Sequence, residues 1–273
     1  VIRRPGEGVR SRPFSIVLNA VEGWGKTTVG AFAPKPLIAM SDSEQGYLTL
    51  LEYKRVPDVP TTTLTTWPQV LGLVEMLTAN PGDIRTLVFD ALGGIERLCH
   101  AFVCKRDFAD RDHPEGNWGE KGFASYGRGP EVATNEWRQL IGRLVTMQER
   151  QPVNILILSH CKVKTFKNPE GADYDRYTSD CHEKTWGVTH KWADAVLMAN
   201  FYTVVQGVES GQETKRKGKA IGDAQRIIYT ERRASWDAKN RYGMPAEIDV
   251  PNEPSQSWAT IENAMKGGEL NVQ

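Results

Sequence analysis

Short apolar runs recur along the chain, each closed by polar or turn-forming residues and separated by longer stretches of helical spacing. Phe14 to Leu18 reads as a buried strand that runs into a Gly-rich turn and a helix starting near Lys26. Pro36 to Met40, Thr86 to Phe89, Asn154 to Leu158, Ala195 to Val205 and Arg226 to Thr230 read as further strands. Between them, Trp67 to Thr78 and Asn135 to Arg150 carry apolar residues three and four apart; in the second these are Trp137, Leu140, Ile141, Leu144, Val145 and Met147. Short apolar strands alternating with helices predict an α/β fold: a mostly parallel, twisted sheet with helices on both faces.

Two stretches break this rhythm. Lys105 to Pro130 and Lys162 to Lys191 are polar, Gly-containing and studded with aromatics, and read as long loops of the functional or mobile kind. Glu209 to Ala220, rich in Lys, Arg and Gly between two strand patterns, predicts a C-terminal antiparallel hairpin. The organisation expected is a basic arm over 1–12, one core over 13–251 and a partly ordered tail over 252–273.

Composition changes this picture little. The 273 residues are 40% hydrophobic, enough for one good core, and 34 basic side chains balance 34 acidic ones. Zero net charge neither demands nor excludes a polyanionic partner. No run of about 18 apolar residues occurs, so no membrane helix is expected. Val1 to Arg12 lacks an apolar stretch and does not read as a signal peptide, so a cytoplasmic location is expected. Cys99, Cys104, Cys161 and Cys181 form no CxxC pair. The spacing of Cys161, Cys181 and His182 fits no common zinc pattern, and reduced structural thiols are the simpler reading.

The chemistry concentrates in Ala20-Val21-Glu22-Gly23-Trp24-Gly25-Lys26-Thr27-Thr28, which follows a strand and opens a helix. That is the context a phosphate-binding P-loop requires. Its backbone N–H groups, from Glu22 to Thr28, would cradle phosphate oxygens. Lys26 would bridge the β- and γ-phosphates of ATP, and the Thr27 hydroxyl would ligate Mg²⁺. The consensus has Gly where Ala20 stands, which costs little unless that position needs positive φ. Leu87-Val88-Phe89-Asp90 supplies the strand-end carboxylate that completes a Mg²⁺ shell. Asp42 and Glu44 follow the second strand, which is expected next to the P-loop strand or one away. Glu44 is the choice for activating water, with Asp42 left to hold the loop or cap the next helix.

The order of these signals resembles the RecA-like ATPase core, and the match runs from about Phe14 to Pro251. The resemblance implies that Glu44 activates water and that Asp90 serves the Mg²⁺ shell. It implies further that a polar residue closing the next strand, His160 or Ser159, senses the γ-phosphate and leads into a DNA-binding loop. Lys239-Asn240-Arg241-Tyr242-Gly243 looks like a motif of RadA-type relatives. There it implies that Lys239 and Arg241 reach a neighbouring subunit's γ-phosphate, an arginine finger. Tyr126-Gly127-Arg128-Gly129 and Trp192-Ala193-Asp194-Ala195-Val196 are similar to segments of small phage-encoded RecA-like ATPases of single-strand annealing and recombination. That likeness implies an ATPase working as a homo-oligomeric ring or filament on single-stranded DNA, in the host cytoplasm, with a single-strand-binding protein as a further partner. It does not extend to strand exchange of the kind full recombinases perform, since no large DNA-binding domain is recognised.

Residue types agree with single-strand binding in part. Trp118 and Tyr126 stand beside Arg106 and Arg128 in the first irregular stretch; Phe166 stands beside Lys162, Lys164, Lys167 and Arg176 in the second. Acidic residues interrupt both. The one dense basic cluster is Lys215-Arg216-Lys217-Gly218-Lys219. Two other functions fit a P-loop: a small-molecule kinase, with Arg232 and Arg233 in a lid, and an ATP-dependent assembly or loader module with little turnover.

Overall fold

The computed structural model describes residues 12–202, 204–206, 219–221 and 225–269. In chain order these form β1 (Ser15–Ala20), α1 (Lys26–Ala31), β2 (Pro36–Ser41), α2 (Gly46–Glu52), β3 (Thr61–Leu64), α3 (Trp67–Ala79), β4 (Thr86–Asp90), α4 (Leu92–Asp107) and α5 (Arg128–Arg150). Then come β5 (Asn154–Phe166), β6 (Tyr174–Ser179), α6 (Glu183–Trp192), β7 (Ala195–Phe201), β8 (Val204–Gln206), β9 (Lys219–Ile221), β10 (Arg226–Tyr229), β11 (Lys239–Asn240), β12 (Glu247–Val250) and α7 (Gln256–Glu269).

The sheet runs β12-β10-β7-β1-β5-β4-β2-β3. Its six strands from β7 to β3 are parallel, and β10 and β12 add antiparallel strands at one edge. Side chains along a strand alternate between faces, and the two cores divide accordingly. Val17, Ala39, Phe89, Ile155, Ile157 and Val196 meet α3, α4, α5 and α6. Ile16, Leu18, Ile38, Val88, Leu156 and Leu197 meet α1, α2 and α7. The expected α/β P-loop core with helices on both faces is thus present. So is the antiparallel hairpin, in the pairing of β8 with β9; its tip, including Lys215 to Gly218, and the basic arm up to Ser11 lie outside the described residues.

Four expectations are corrected. The Lys162–Lys191 stretch is no long loop: β5 continues to Phe166, pairs antiparallel with β6, and α6 follows. Its β-branched and aromatic residues (Val163, Thr165, Phe166, Tyr174, Tyr177, Thr178) suit a two-stranded ribbon. The Lys105–Pro130 stretch is irregular only from Phe108 to Gly127, since it starts inside α4 and ends inside α5. Pro130 is tolerated there because the first turn of a helix needs no N–H partner. The segment beyond Pro251 is not a loose tail, since α7 buries Trp258 and Ile261 in the second core. Finally, β5 and β4 both separate β2 from β1, so the acidic turn is neither next to the P-loop strand nor one away.

Candidate nucleotide site

The parallel strands end together. Ala20 stands in register with His160, Asp90 with Leu158, and Met40 with Asp90. The loops after β1, β2, β4 and the midpoint of β5 therefore open at one edge of the sheet. That edge is where ligands bind in open α/β sheets.

The P-loop residues are shaped for their task. Gly25 precedes α1 with φ 106°, a conformation that strains any side chain. Ala20 needs no such freedom: among the described residues, positive φ outside glycine occurs only at Lys35, Lys54 and Tyr126. Replacing the consensus Gly by Ala20 therefore costs little. Trp24 is buried, its indole Nε1 donating to the Asn200 carbonyl, which ties the loop to the end of β7. Glu22 and Gly23 lie at the exposed crest, and Thr28 is buried behind it.

Lys26 lies across the loop, its Nζ 3.4 Å from the Ala20 carbonyl and 3.3 Å from His160 Nδ1. Burial pushes its pKa down, opposed by the nearby Asp90 charge. Thr27 Oγ1 donates to Asp90 Oδ2 at 2.8 Å. Asp90 is only 5% exposed, and burial pushes its carboxyl pKa up, opposed by the Thr27 hydrogen bond. A buried carboxylate touching a hydroxyl is a hard-oxygen donor pair that suits Mg²⁺, an ion that keeps several waters and takes few protein ligands. The fit extends no further within the protein: no group of three or more His, Cys, Asp or Glu able to hold a metal occurs among the described residues.

Despite the two intervening strands, Glu44 reaches the same place. The turn after β2 closes through the Glu44 N–H to the Ser41 carbonyl and packs against α4 at Gly94, where a Cβ would collide with Ser41 Oγ. Glu44 and His160 then face each other at 3.8 Å. His160 holds the Glu44 carboxyl below its usual range, and Glu44 holds the His160 imidazole above its own. Ser159, the alternative to His160, is fully buried and bonded to Ser179 Oγ and the His160 carbonyl. Asp42 is exposed, its carbonyl accepting from Gln45 Nε2.

Asp180 joins this group although no sequence signal marked it. Its N–H donates to the His160 carbonyl, and its side chain stands over Gly93 at the start of α4. Burial pushes its carboxyl pKa up. Only the β5–β6 pairing brings it here, and that pairing was the element hidden in the polar stretch.

Lys239 and Arg241 lie at the other end. β11 pairs with Ala195 and Val196, where β7 begins, whereas the P-loop adjoins Ala199, about 10–13 Å farther along the strand. Lys239 Nζ donates to the carbonyls of His190, Lys191 and Ala193, capping α6. Arg241 pairs with Asp194 at 3.0 Å and is half-exposed. Neither reaches the nucleotide site of its own chain.

The candidate nucleic-acid residues divide by type. Their cations are engaged within the chain: Arg106 with Glu136 and Asp107, Lys164 with Glu183, Lys167 with Asp173, and the buried Arg176 with Asp237. Lys162 donates to the carbonyls of Asp180 and Cys181, and Arg128 lies over the Phe108 ring. Phe166 packs against Tyr174 and beneath Arg176. In the first stretch Trp118 is half-exposed and Tyr126 fully exposed, while Phe123 is buried against Trp118 and Phe108. Of the two arginines considered for a kinase lid, Arg233 pairs with Glu247 and stacks on Tyr229 and Trp236.

A family model described as "AAA domain" matches residues 12–242. Among solved structures, a RadB recombinase is similar over 89% of this chain and 90% of its own, at 10% identity and a TM-score of 0.43. A KaiC-like protein, PH0186 from the hyperthermophilic archaeon Pyrococcus horikoshii OT3, is similar over 89% of this chain and 88% of its own, at 12% identity and a TM-score of 0.39. No curated protein matches the chain. Among the described residues, no helix is long and apolar enough to cross a membrane.

Proposed function

The chain belongs to the AAA domain family, and from that premise we propose that it binds ATP with Mg²⁺ and hydrolyses it, coupling turnover to single-stranded DNA. The observation that carries the reading is the convergence of Lys26, Thr27, Asp90, Glu44 and His160 from four separate strands. Each fills a role that phosphoryl transfer to water requires. Gly25 and the loop amides hold the phosphates, and Lys26 places its charge among them. Mg²⁺, held by Thr27 and Asp90, would neutralise the charge that develops on the phosphate oxygens. Glu44 orients water and accepts its proton, and His160 keeps Glu44 ionised and aimed.

In this reading the active unit is a homo-oligomer, ring or filament, in which Arg241 leaves Asp194 to reach a neighbour's γ-phosphate. Its placement away from its own site is what a group acting between subunits needs. Single-stranded DNA would stack on Trp118 and Tyr126, and the exposed ion pairs of the β5–β6 ribbon, individually weak, would open to phosphates. The biological setting is recombination or strand annealing of the phage type, with a single-strand-binding protein as a partner.

Phosphate release from ATP, measured with and without single-stranded DNA, tests this reading. DNA is expected to raise the rate severalfold in the wild-type protein and less than half as much in a Trp118→Ala, Tyr126→Ala double variant. Arg241→Ala is expected to lower turnover at least a hundredfold while ADP affinity stays within about threefold. A rate indifferent to DNA, or full turnover in the Arg241 variant, would remove the corresponding part of the proposal.

A further inference from the structure

Behind the phosphate loop lies an arginine with no role in the hydrolytic site. Arg226 opens β10, in register with Phe201 of β7 and Val250 of β12, and is only 8% exposed. Its Nη1 donates to the Trp24 carbonyl at 3.4 Å. Its Nη2 donates to the Pro251 carbonyl and, at 3.2 Å, to Ser257 Oγ at the start of α7. The guanidinium lies 5.4 Å over the Trp24 ring, and a Cβ on Gly25 would stand 3.1 Å from Nη1.

One feature sets this arginine apart from the other buried one. Arg176 has a carboxylate in Asp237; among the described residues Arg226 has none, although the Nε of each is buried without a partner. Burial alone acts on its protonation, pushing the pKa down with no anion to oppose it. A desolvated cation without a counter-charge is costly, and neutral oxygens and an aromatic face repay only part of that cost. The anion that would repay the rest belongs on the other side of the loop. In a trans peptide the carbonyl and the following N–H point in opposite directions. With the Trp24 carbonyl turned onto Arg226, the Gly25 N–H is turned away from it.

We propose that Arg226 is a positioning residue for the phosphate loop, holding the Trp24–Gly25 peptide so that the Gly25 N–H faces the nucleotide phosphates, and lending the loop an uncompensated positive charge. The inference rests on the nucleotide reading of the site. Arg226 touches no reacting atom in this scheme. It acts through the backbone that binds phosphate, so its contribution falls on nucleotide affinity rather than on the hydrolytic step. It also joins α7, through Ser257, to the loop that nucleotide occupies.

Titration calorimetry with ADP and Mg²⁺, paired with steady-state ATP hydrolysis, tests this on the full chain. Arg226→Met, which keeps most of the volume, is expected to weaken ADP binding at least tenfold and to raise KM for ATP in parallel, with kcat within about threefold of wild type. Arg226→Lys, which keeps the charge but cannot reach all three oxygens at once, is expected to recover at least half of that loss on a logarithmic scale. A Met variant that binds ADP as tightly as wild type, or a kcat that falls while KM stays, overturns the proposal. So does a Lys variant no better than Met. Should wild-type protein itself bind no ADP, the nucleotide reading fails and this inference with it. Should wild type bind and both variants bind equally well, only the role of Arg226 fails.

Discussion

Glu44 and His160 hold each other's charge, and the consequence can be read as a function of pH. The His160 pKa is raised above the ordinary 6.5, so its share of stability is fully present below 6.5 and is lost as pH rises through the raised value. The Glu44 pKa is depressed below the ordinary 4.5, so its share is present above 4.5 and is lost as pH falls through the depressed value. Between about pH 4.5 and 6.5 both groups carry charge. Both are about one-third exposed, so the pair is worth no more than about 1 kcal/mol. The melting temperature of wild type minus that of His160→Gln should be largest in this window and shrink on either side. A difference that stays flat from pH 4 to 8 would mean the pair does not form in solution. Turnover should track the same partner, with His160→Gln losing more activity than stability because Glu44 loses the group that aims it.

At the scale of elements, the placement of Glu44 depends on one close approach. The turn after β2 has to cross the position of β4 to meet His160, and it does so by lying directly on the first turn of α4. Gly94 makes room: a methyl there would collide with Ser41 Oγ and stand 2.8 Å from Ser41 Cβ. Gly94→Ala gains about 1 kcal/mol of helix propensity but meets an overpacking cost of about 1–3 kcal/mol, and the turn must shift. An ångström of misplacement costs up to about a hundredfold in rate. Gly94→Ala is therefore expected to lower kcat ten- to a hundredfold while ADP affinity stays within about threefold; unchanged turnover would show that Glu44 does not depend on this contact. Apolar strands and the P-loop were legible in the sequence because burial on both faces and backbone conformation select residue types directly. The β5–β6 ribbon was not, because its exposed residues carry no apolar periodicity, and α6 was not, because the face it buries includes Thr185 and Thr189 beside Trp186; both read as loop, and Asp180 was lost with them. α7 was missed for a different reason: Pro251, Pro254 and Ser255 mark a turn, and only the helix beyond it carries Trp258 and Ile261.

For the molecule as a whole, the sheet places the phosphate loop, Asp90, Glu44 and His160 at one edge and Lys239 and Arg241 at the other. Sequence order alone could not show this, since it gives which strand a residue ends but not where that strand lies. The expectation that β2 lies beside or one strand from β1 failed on that point, yet Glu44 still arrived, because α4 and His160 supply contacts that strand adjacency would otherwise provide. In the proposed function these converging residues hydrolyse ATP. The most direct measurement is phosphate release from ATP in the presence of Mg²⁺ by wild type and Glu44→Gln side by side, with ADP binding measured on both. Hydrolysis at this site requires Mg²⁺-dependent release by wild type and at least a hundredfold less by Glu44→Gln, with ADP bound equally well by the two. Equal release by both proteins would contradict it.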